Sequence, residues 1–316
     1  MYKPLVSIII PVYNGSNFLA QAIDSAIAQT YQNIEIIVVN DGSCDNGETE
    51  RIALSYGEKI KYIKKENGGV SSALNVGIRE MKGEYFSWLS HDDLYTEEKI
   101  AKQIECLNEQ DDNTIIVCLS RQINKDGGYL TKAEKVCAAK FGEKIDNKTE
   151  IKYLLSSYLF SGCSLLIPKT ALVSAGGFDE SLRYNQDFDM WLKLCFLGCY
   201  WLFNDNVGVL SRVHNQQVTQ TRRDLFYKDS RTLGKRIIPQ LGDISTKENN
   251  FLYMYACNNA KYNLTDNLID CKKLLKEKKL FNLKKKVKLF FLTVYGKIRP
   301  TIRKIYYRLF KKVKTQ

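Results

Sequence analysis

The residues in this chain best able to do chemistry fall in four short polar loops, each directly after a segment that reads as a β-strand. They are Pro11-Val12-Tyr13-Asn14-Gly15, Asn40-Asp41-Gly42-Ser43, Glu66-Asn67-Gly68-Gly69 and Ser90-His91-Asp92-Asp93. Asn, Asp, Gly and Ser are also ordinary turn and helix-cap residues, so one loop alone carries little. Four of them after successive strands say more, because an open parallel sheet binds ligands at the carboxyl ends of its strands. The adjacent Asp92 and Asp93 offer hard oxygen ligands of the kind that Mg²⁺ or Mn²⁺ takes. The chain has two histidines, His91 and His214, and a neutral imidazole also suits Mn²⁺.

Around those loops, hydrophobic periodicity predicts the scaffold that must hold them. Strands are expected at Val6 to Val12, Ile34 to Asn40, Lys61 to Lys64, Tyr85 to Leu89 and Thr114 to Leu119. Asn17 to Gln29 and Val70 to Met81 carry apolar faces at helical spacing and read as crossover helices. This alternation predicts an α/β fold with a mostly parallel central sheet flanked by helices. After Arg121 it fails. A turn at Asp126-Gly127-Gly128 suggests a hairpin, followed by a helix near Lys148 to Tyr158 and a strand at Cys163 to Ile167. A helix at Gln186 to Phe196 and two strands, Tyr200 to Phe203 and Val207 to Val213, come next. From Arg222 onward only helical patterning remains.

Composition narrows the class. At 316 residues and 44% hydrophobic content, the chain can bury a full core and exceeds one minimal domain. Its nine cysteines form no CxxC pair, which argues against a zinc site or a disulfide framework and for a reducing cytoplasm. LVSIIIPV contains Pro11 and lacks the flanks of a signal peptide. No apolar run approaches the length of a membrane span, so a cytoplasmic protein is expected. The net charge of +12 is local: fourteen Lys or Arg and no acid follow Glu277, leaving 33 basic and 35 acidic residues before it.

The segments VSIIIPVYNGSNFLAQAIDSAIAQTYQNIEIIVVNDGSCD, ENGGVSSALNVGI, GEYFSWLSHDDLY, SGCSLLIPKTALVSAGGFDESLRYNQDFDMWLKL and RVHNQQVTQT, in that order, resemble family 2 glycosyltransferases. The resemblance covers roughly residues 4–221 and implies the GT-A (Rossmann-like) fold. It also implies inverting, metal-dependent, hexosyltransferase-type transfer of a sugar from a nucleoside diphosphate donor, a UDP-sugar, to a hydroxyl of a saccharide acceptor. By that resemblance Pro11, Tyr13 and Asn14 wall the nucleoside, and Asp41 accepts the pyrimidine imide hydrogen. Asn67, Gly68, Ser72 and Asn75 line the donor. Asp92 reaches the ribose or sugar, Asp93 and His214 hold Mn²⁺ or Mg²⁺, and Asp187 deprotonates the acceptor. Gln186 and Trp191 are expected on the acceptor side. A carboxylate on the sugar face opposite the diphosphate allows in-line attack. The chain carries Leu74 where the family often has Arg, Ser90 where an acid often stands, and Gln186 where Glu is usual.

These readings divide the chain into a GT-A domain at 1–221, a helical extension at 222–282 and a basic amphipathic tail at 283–316. In the tail, Ile298, Ile302, Ile305 and Leu309 form one apolar stripe among lysines and arginines, and Pro300 suits a helix's first turn. Such a helix fits the surface of an anionic membrane, giving a peripheral position on the inner face of the cell membrane. A lipid-linked acceptor in surface polysaccharide biosynthesis would agree with that. A solvated helix is the alternative, and the helix near Phe251 to Tyr262 could serve a homodimer. Nucleic acid is not expected, since no base-stacking or groove-reading motif accompanies the charge. Two other functions stay open: a sugar-nucleotide nucleotidyltransferase, although PVYNGSN lacks a basic triphosphate loop, and a catalytically degenerate glycan-binding scaffold.

Overall fold

Seven consecutive buried residues make β1 (Val6–Val12), the centre of a parallel group with β2 (Ile34–Asp41), β3 (Lys61–Lys65) and β4 (Tyr85–Trp88). The computed structural model describes residues 3–107, 113–131, 141–156, 161–214 and 223–310, with the backbone alone at 223, 224, 300 and 302–310. The spatial order is β3-β2-β1-β4. Near-continuous apolar strands are what burial on both faces requires. Register decides where the loops emerge: Val12 lies beside Asn40, and Asp41 beside Lys65. Three strand ends therefore open on one edge of the sheet.

The helices α1 (Leu19–Ile27), α2 (Glu48–Leu54) and α3 (Val70–Glu80) connect these strands. The sequence reading missed α2, whose seven residues bury only Thr49 and Ala53. By contrast α3 buries Ala73, Leu74, Gly77 and Ile78. At Gly77 a Cβ would collide with Ile9 Cγ2, so the glycine lets α3 settle directly onto β1. That close approach seats α3, whose N-terminus follows the Gly68-Gly69 turn, on β1.

The second half mixes directions. It contains β5 (Leu94–Tyr95), β6 (Thr114–Ile123), β7 (Lys144–Ile145), β8 (Leu165–Pro168) and β9 (Tyr200–Arg212). Here β9 runs parallel to β6, while β8 is antiparallel to both β4 and β6, and β5 and β7 are antiparallel to β9. The two strands expected at 200–213 are one. Phe203 pairs with Val117 and Val207 with Leu119, so 204–206 bulge opposite Cys118 and break the alternation without ending the strand. Among the described residues the expected hairpin appears as a bridge between Ile123 and Tyr129. Four further helices flank this half: α4 (Lys99–Ile104), α5 (Asn147–Leu155), α6 (Lys169–Ser174) and α7 (Gln186–Phe196).

Among the described residues the remaining helices are α8 (Arg223–Ile244), α9 (Phe251–Lys261), α10 (Thr265–Glu277) and α11 (Leu283–Phe310). The chain forms two compact units, Met1–Ile151 with Tyr158–Arg223, and Lys152–Ser157 with Asp224–Gln316. Within the second, α11 packs on α9: Leu289 is fully buried, and a Cβ on Gly296 would run into the Ala260 carbonyl oxygen. The helix starts at Leu283, so Pro300 lies inside it and not in its first turn as expected. Of the predicted stripe only the Ile298 side chain is described; Ile302, Ile305, Leu309 and everything beyond Phe310 lie outside. Among the described residues no helix is long and apolar enough to cross a membrane.

Candidate active site

The loop after β1 is pinned to the loop after β2. Asn14, at φ +50, donates its backbone N–H to Ser43 Oγ at 2.9 Å and accepts the Cys44 N–H at 2.8 Å. This is the left-handed conformation that asparagine tolerates better than most residues. Pro11 is buried, and Tyr13 stands 45% exposed with its ring free of the core. Gly15 is wedged between Val12 and His91, where a Cβ would lie 2.5 Å from the imidazole. Burial holds the His91 ring below its usual pKa.

Asp41 closes β2 and organises the next loop. Its buried carboxylate pairs with Lys65 Nζ at 2.7 Å and accepts the Gly68 and Gly69 N–H groups at 2.9 and 2.7 Å. Asn67 donates its side-chain amide to the Asp41 carbonyl at 2.9 Å. Charge-assisted bonds of this kind are about twice as strong as neutral ones. Gly69 needs its φ of +87, and a Cβ there would collide with Arg183 Nη1. Ser72 is buried, and its hydroxyl crowds Gly68.

After β4, the two aspartates face different ways. Asp92 Oδ2 meets His214 Nε2 at 2.9 Å, bringing together residues 122 apart in sequence. Asp93 is buried and accepts the Arg212 N–H at 2.8 Å, with Cys163 Sγ 3.5 Å away; burial and then the Asp92 charge push its carboxyl up to about 7. Sequence reasoning assigned the metal to Asp93 with His214; here it is Asp92 whose carboxylate meets that imidazole. A carboxylate oxygen and an imidazole nitrogen form a mixed pair that fits a divalent cation whose remaining ligands come from water and substrate phosphate. Among the described residues no group of three potential ligands gathers.

Arg212, which sequence reasoning missed, holds this region together. It is buried and donates from Nε to the Asp92 carbonyl at 2.9 Å, from Nη1 to the Lys125 carbonyl at 2.6 Å and from Nη2 to Gln21 Oε1 at 2.8 Å. Its guanidinium also lies 4.5 Å from the Phe18 ring centroid, and Phe18 in turn packs against His214 at 5.3 Å. A fork of five donors suits such a hub. The available signal was its place two residues before His214.

The other side of the site is α7 and the loop before it. Asp187 opens the helix and accepts the Phe188 N–H at 2.7 Å; burial raises its carboxyl to about 6. Gln186 is buried, with Oε1 unpartnered among the described residues. Trp191 is 1% exposed, edge-on to Phe178 and Trp201 at 6.5 Å each, so it braces the wall behind the site and cannot present its ring to an acceptor. Asn75, expected at the donor, spends its amide on Phe178 and Glu180. The exposed Arg183, also missed, donates to the Gly68 carbonyl at 2.5 Å and ties this loop to the Gly68-Gly69 turn. Lys65 and Arg183 each sit within a few residues of a predicted motif, the sole hint available.

A cleft of about 530 Å³ is lined by helical-unit residues such as Tyr227, Arg231, Asn263 and Asp266, and includes none of these positions. The polar residues described above gather at the sheet edge instead.

A family model described as glycosyl transferase family 2 matches residues 7–173. An uncharacterised glycosyltransferase of Rickettsia typhi is 52% identical over 220 residues, covering 70% of this chain and 67% of that protein. Among solved structures, S. aureus TarS in complex with UDP superposes with a TM-score of 0.67 at 16% identity, over 94% of this chain and 91% of that one. The mannosyltransferase PcManGT from Pyrobaculum calidifontis, in complex with GDP-Man and Mn²⁺, gives 0.58 at 16% identity over 99% and 89%. At such identities the structural likeness speaks for the fold.

Proposed function

The chain belongs to glycosyltransferase family 2 and has the GT-A fold, and from that premise we propose that it is an inverting, hexosyltransferase-type enzyme moving a sugar from a UDP-sugar to a saccharide hydroxyl. What carries the reading is the continuous run of bonds from Asp41 through Gly68 to Arg183, four residues before Asp187. That run supports reading the nucleotide end and the carboxylate end as one site. The relative bound to UDP supports the choice of base.

In this mechanism Pro11, Tyr13 and Asn14 hold the nucleoside, with Asp41 receiving the imide N–H on the carboxylate oxygen bonded to Gly69. Asn67, Gly68 and Ser72 shape the turn against the donor. Asp187 takes the proton of the acceptor hydroxyl as its oxygen bonds to the anomeric carbon. The bond from that carbon to the diphosphate breaks, and its electron pair leaves with the nucleoside diphosphate. A carboxyl raised to about 6 is a better base than an ordinary aspartate while staying ionised at neutral pH. Gln186, carrying no charge, can hydrogen-bond an acceptor beside it.

Asp92 and His214 are the residues that would hold Mn²⁺ or Mg²⁺, with Asp93 setting the turn behind them. Such a cation supplies charge neutralisation to the departing diphosphate. The acceptor is a lipid-linked saccharide of a surface polysaccharide, reached from the inner face of the membrane. Supporting this, α11 exposes Leu283, Val287, Phe290, Phe291, Val294 and Ile298 on the side away from its buried Leu289 and Gly296, with Lys284, Lys286, Lys288 and Lys297 alongside. The test of donor class is thermal stabilisation by UDP and a panel of nucleotide sugars, with and without Mn²⁺. Stabilisation by UDP and its sugars is expected; equal indifference to every nucleotide would end the proposal.

A further inference from the structure

The helix α3 touches both ends of the proposed site. Its N-terminus begins at Gly69, whose N–H is held by Asp41. Gly68 immediately precedes that N-terminus, and Ser71 and Asn75, four apart within α3, lie along one side of the helix. All three bond to the loop that leads into α7. Arg183 reaches the Gly68 carbonyl, Ser71 Oγ lies 3.4 Å from the Leu182 carbonyl, and Asn75 grips the loop's first residues.

That grip is complete in its geometry. Asn75 accepts the Phe178 N–H at 2.8 Å, and its amide nitrogen donates to the Phe178 carbonyl and to Glu180 Oε1, both at 2.9 Å. The loop is shaped to receive it: Gly177 has φ +74, and a Cβ there would lie 2.7 Å from Asn75 Oδ1. From the far side, Lys193 of α7 donates to the Gly177 carbonyl at 3.1 Å. Phe178 then fills the space between Trp88 and Trp191, at 6.0 and 6.5 Å. The segment feeding Asp187 is therefore fastened by α3 at one edge and by α7 at the other.

We propose that Asn75 is a positioning residue that sets the place of Asp187 relative to the donor turn by clamping Phe178 and Glu180, without touching the donor itself. Both its N–H donors are spent on the loop, and its carbonyl receives the loop's backbone. The consequence follows from the sensitivity of transfer to alignment, where a shift of about 1 Å costs on the order of 100-fold. This rests on the transferase reading above, and it separates binding from turnover: loss of the clamp slows the reaction and leaves nucleotide affinity alone.

The experiment compares Asn75→Ala, Asn75→Asp and the double variant Asn75→Asp with Glu180→Gln. In the double variant the donor and acceptor exchange sides, so the amide introduced by Glu180→Gln can donate to the carboxylate introduced by Asn75→Asp. Three readouts are taken on the full chain: amide exchange across 176–187, UDP affinity by calorimetry with Mn²⁺, and UDP release from the best-stabilising UDP-sugar. Asn75→Ala and Asn75→Asp should speed exchange across 176–187 and slow UDP release about 10- to 100-fold, with UDP affinity as in the parent. The double variant should recover part of both losses, because the carboxylate introduced by Asn75→Asp still faces the Phe178 carbonyl. Equal loss of affinity and turnover in Asn75→Ala would assign a direct donor contact instead. Unchanged exchange, or a double variant no better than Asn75→Asp, also overturns the proposal. If the parent protein binds no UDP, the transferase reading falls by itself, while the exchange measurements still decide whether the clamp exists.

Discussion

Asp41 and Asp187 stand at opposite ends of the proposed site, and their surroundings differ in kind. Asp41 is buried with a lysine and two backbone N–H groups around it, so its charge is compensated where it lies. Asp187 accepts one backbone N–H, and burial pushes its carboxyl to about 6. The first arrangement stabilises a loop. The second leaves basicity unspent, which is what a proton acceptor needs and a purely structural carboxylate does not. At the proposed donor end the carboxylate is compensated by its partners, while at the proposed acceptor end, among the described residues, Asp187 has only backbone N–H groups to offset its burial.

The sharpest break of that contrast is Asp187→Asn, expected to cut turnover about 10²- to 10⁴-fold with UDP affinity intact. In the parent, turnover should rise with pH up to about 6, as the base loses its proton. Stability moves the opposite way. A carboxyl raised above its unfolded value binds more protons when folded, so its contribution falls as pH climbs from about 4 to about 6. Asp187→Asn should therefore melt higher than the parent at pH 7, with the gap closing by about pH 4. A melting difference that does not narrow on acidification would place the strain elsewhere.

Next in size is Asp41→Asn, which removes the charge from a part-buried ion pair and should cost about 1–3 kcal/mol of stability, measured by urea unfolding, together with a clear loss of UDP affinity. If it proves as stable as the parent, the donor end is not anchored by that carboxylate. His214→Ala comes third: the Mn²⁺-dependent part of UDP affinity should fall at least roughly 10-fold, the scale set by lesser outer-shell losses, with metal-free binding little changed. The smallest effect on the site is expected from the pair Phe290→Glu and Phe291→Glu. UDP binding should be untouched, while each Phe withdrawn from lipid forfeits about 1.5–3 kcal/mol and cosedimentation with anionic liposomes is lost. Undiminished cosedimentation would remove α11 from any membrane role.

Much of this was legible because it is local. The runs at β1 and β2 are long and apolar, β4 is short but aromatic-rich, α3 and α7 carry helical periodicity, and the polar loops follow directly from the strand ends. The two-residue strands β5 and β7 left no signal, since each exists only through pairing with β9. Nor did α2, too short for its periodicity to register. Trp191 was expected at the acceptor and is instead core, because spacing shows that residues share a helix face but not which neighbours that face meets.

By itself the sequence determined the strand-loop rhythm, the chemistry available at the sheet edge and the separate basic tail, because these depend on residue types within a few positions of one another. Only tertiary structure decided that Asp92 rather than Asp93 meets His214, that Arg212 is the hub behind them, and that Asn75 serves the loop before Asp187. Those pairings join residues about 100 positions apart. Their partners are selected by how strands register and helices pack, information that no local pattern carries.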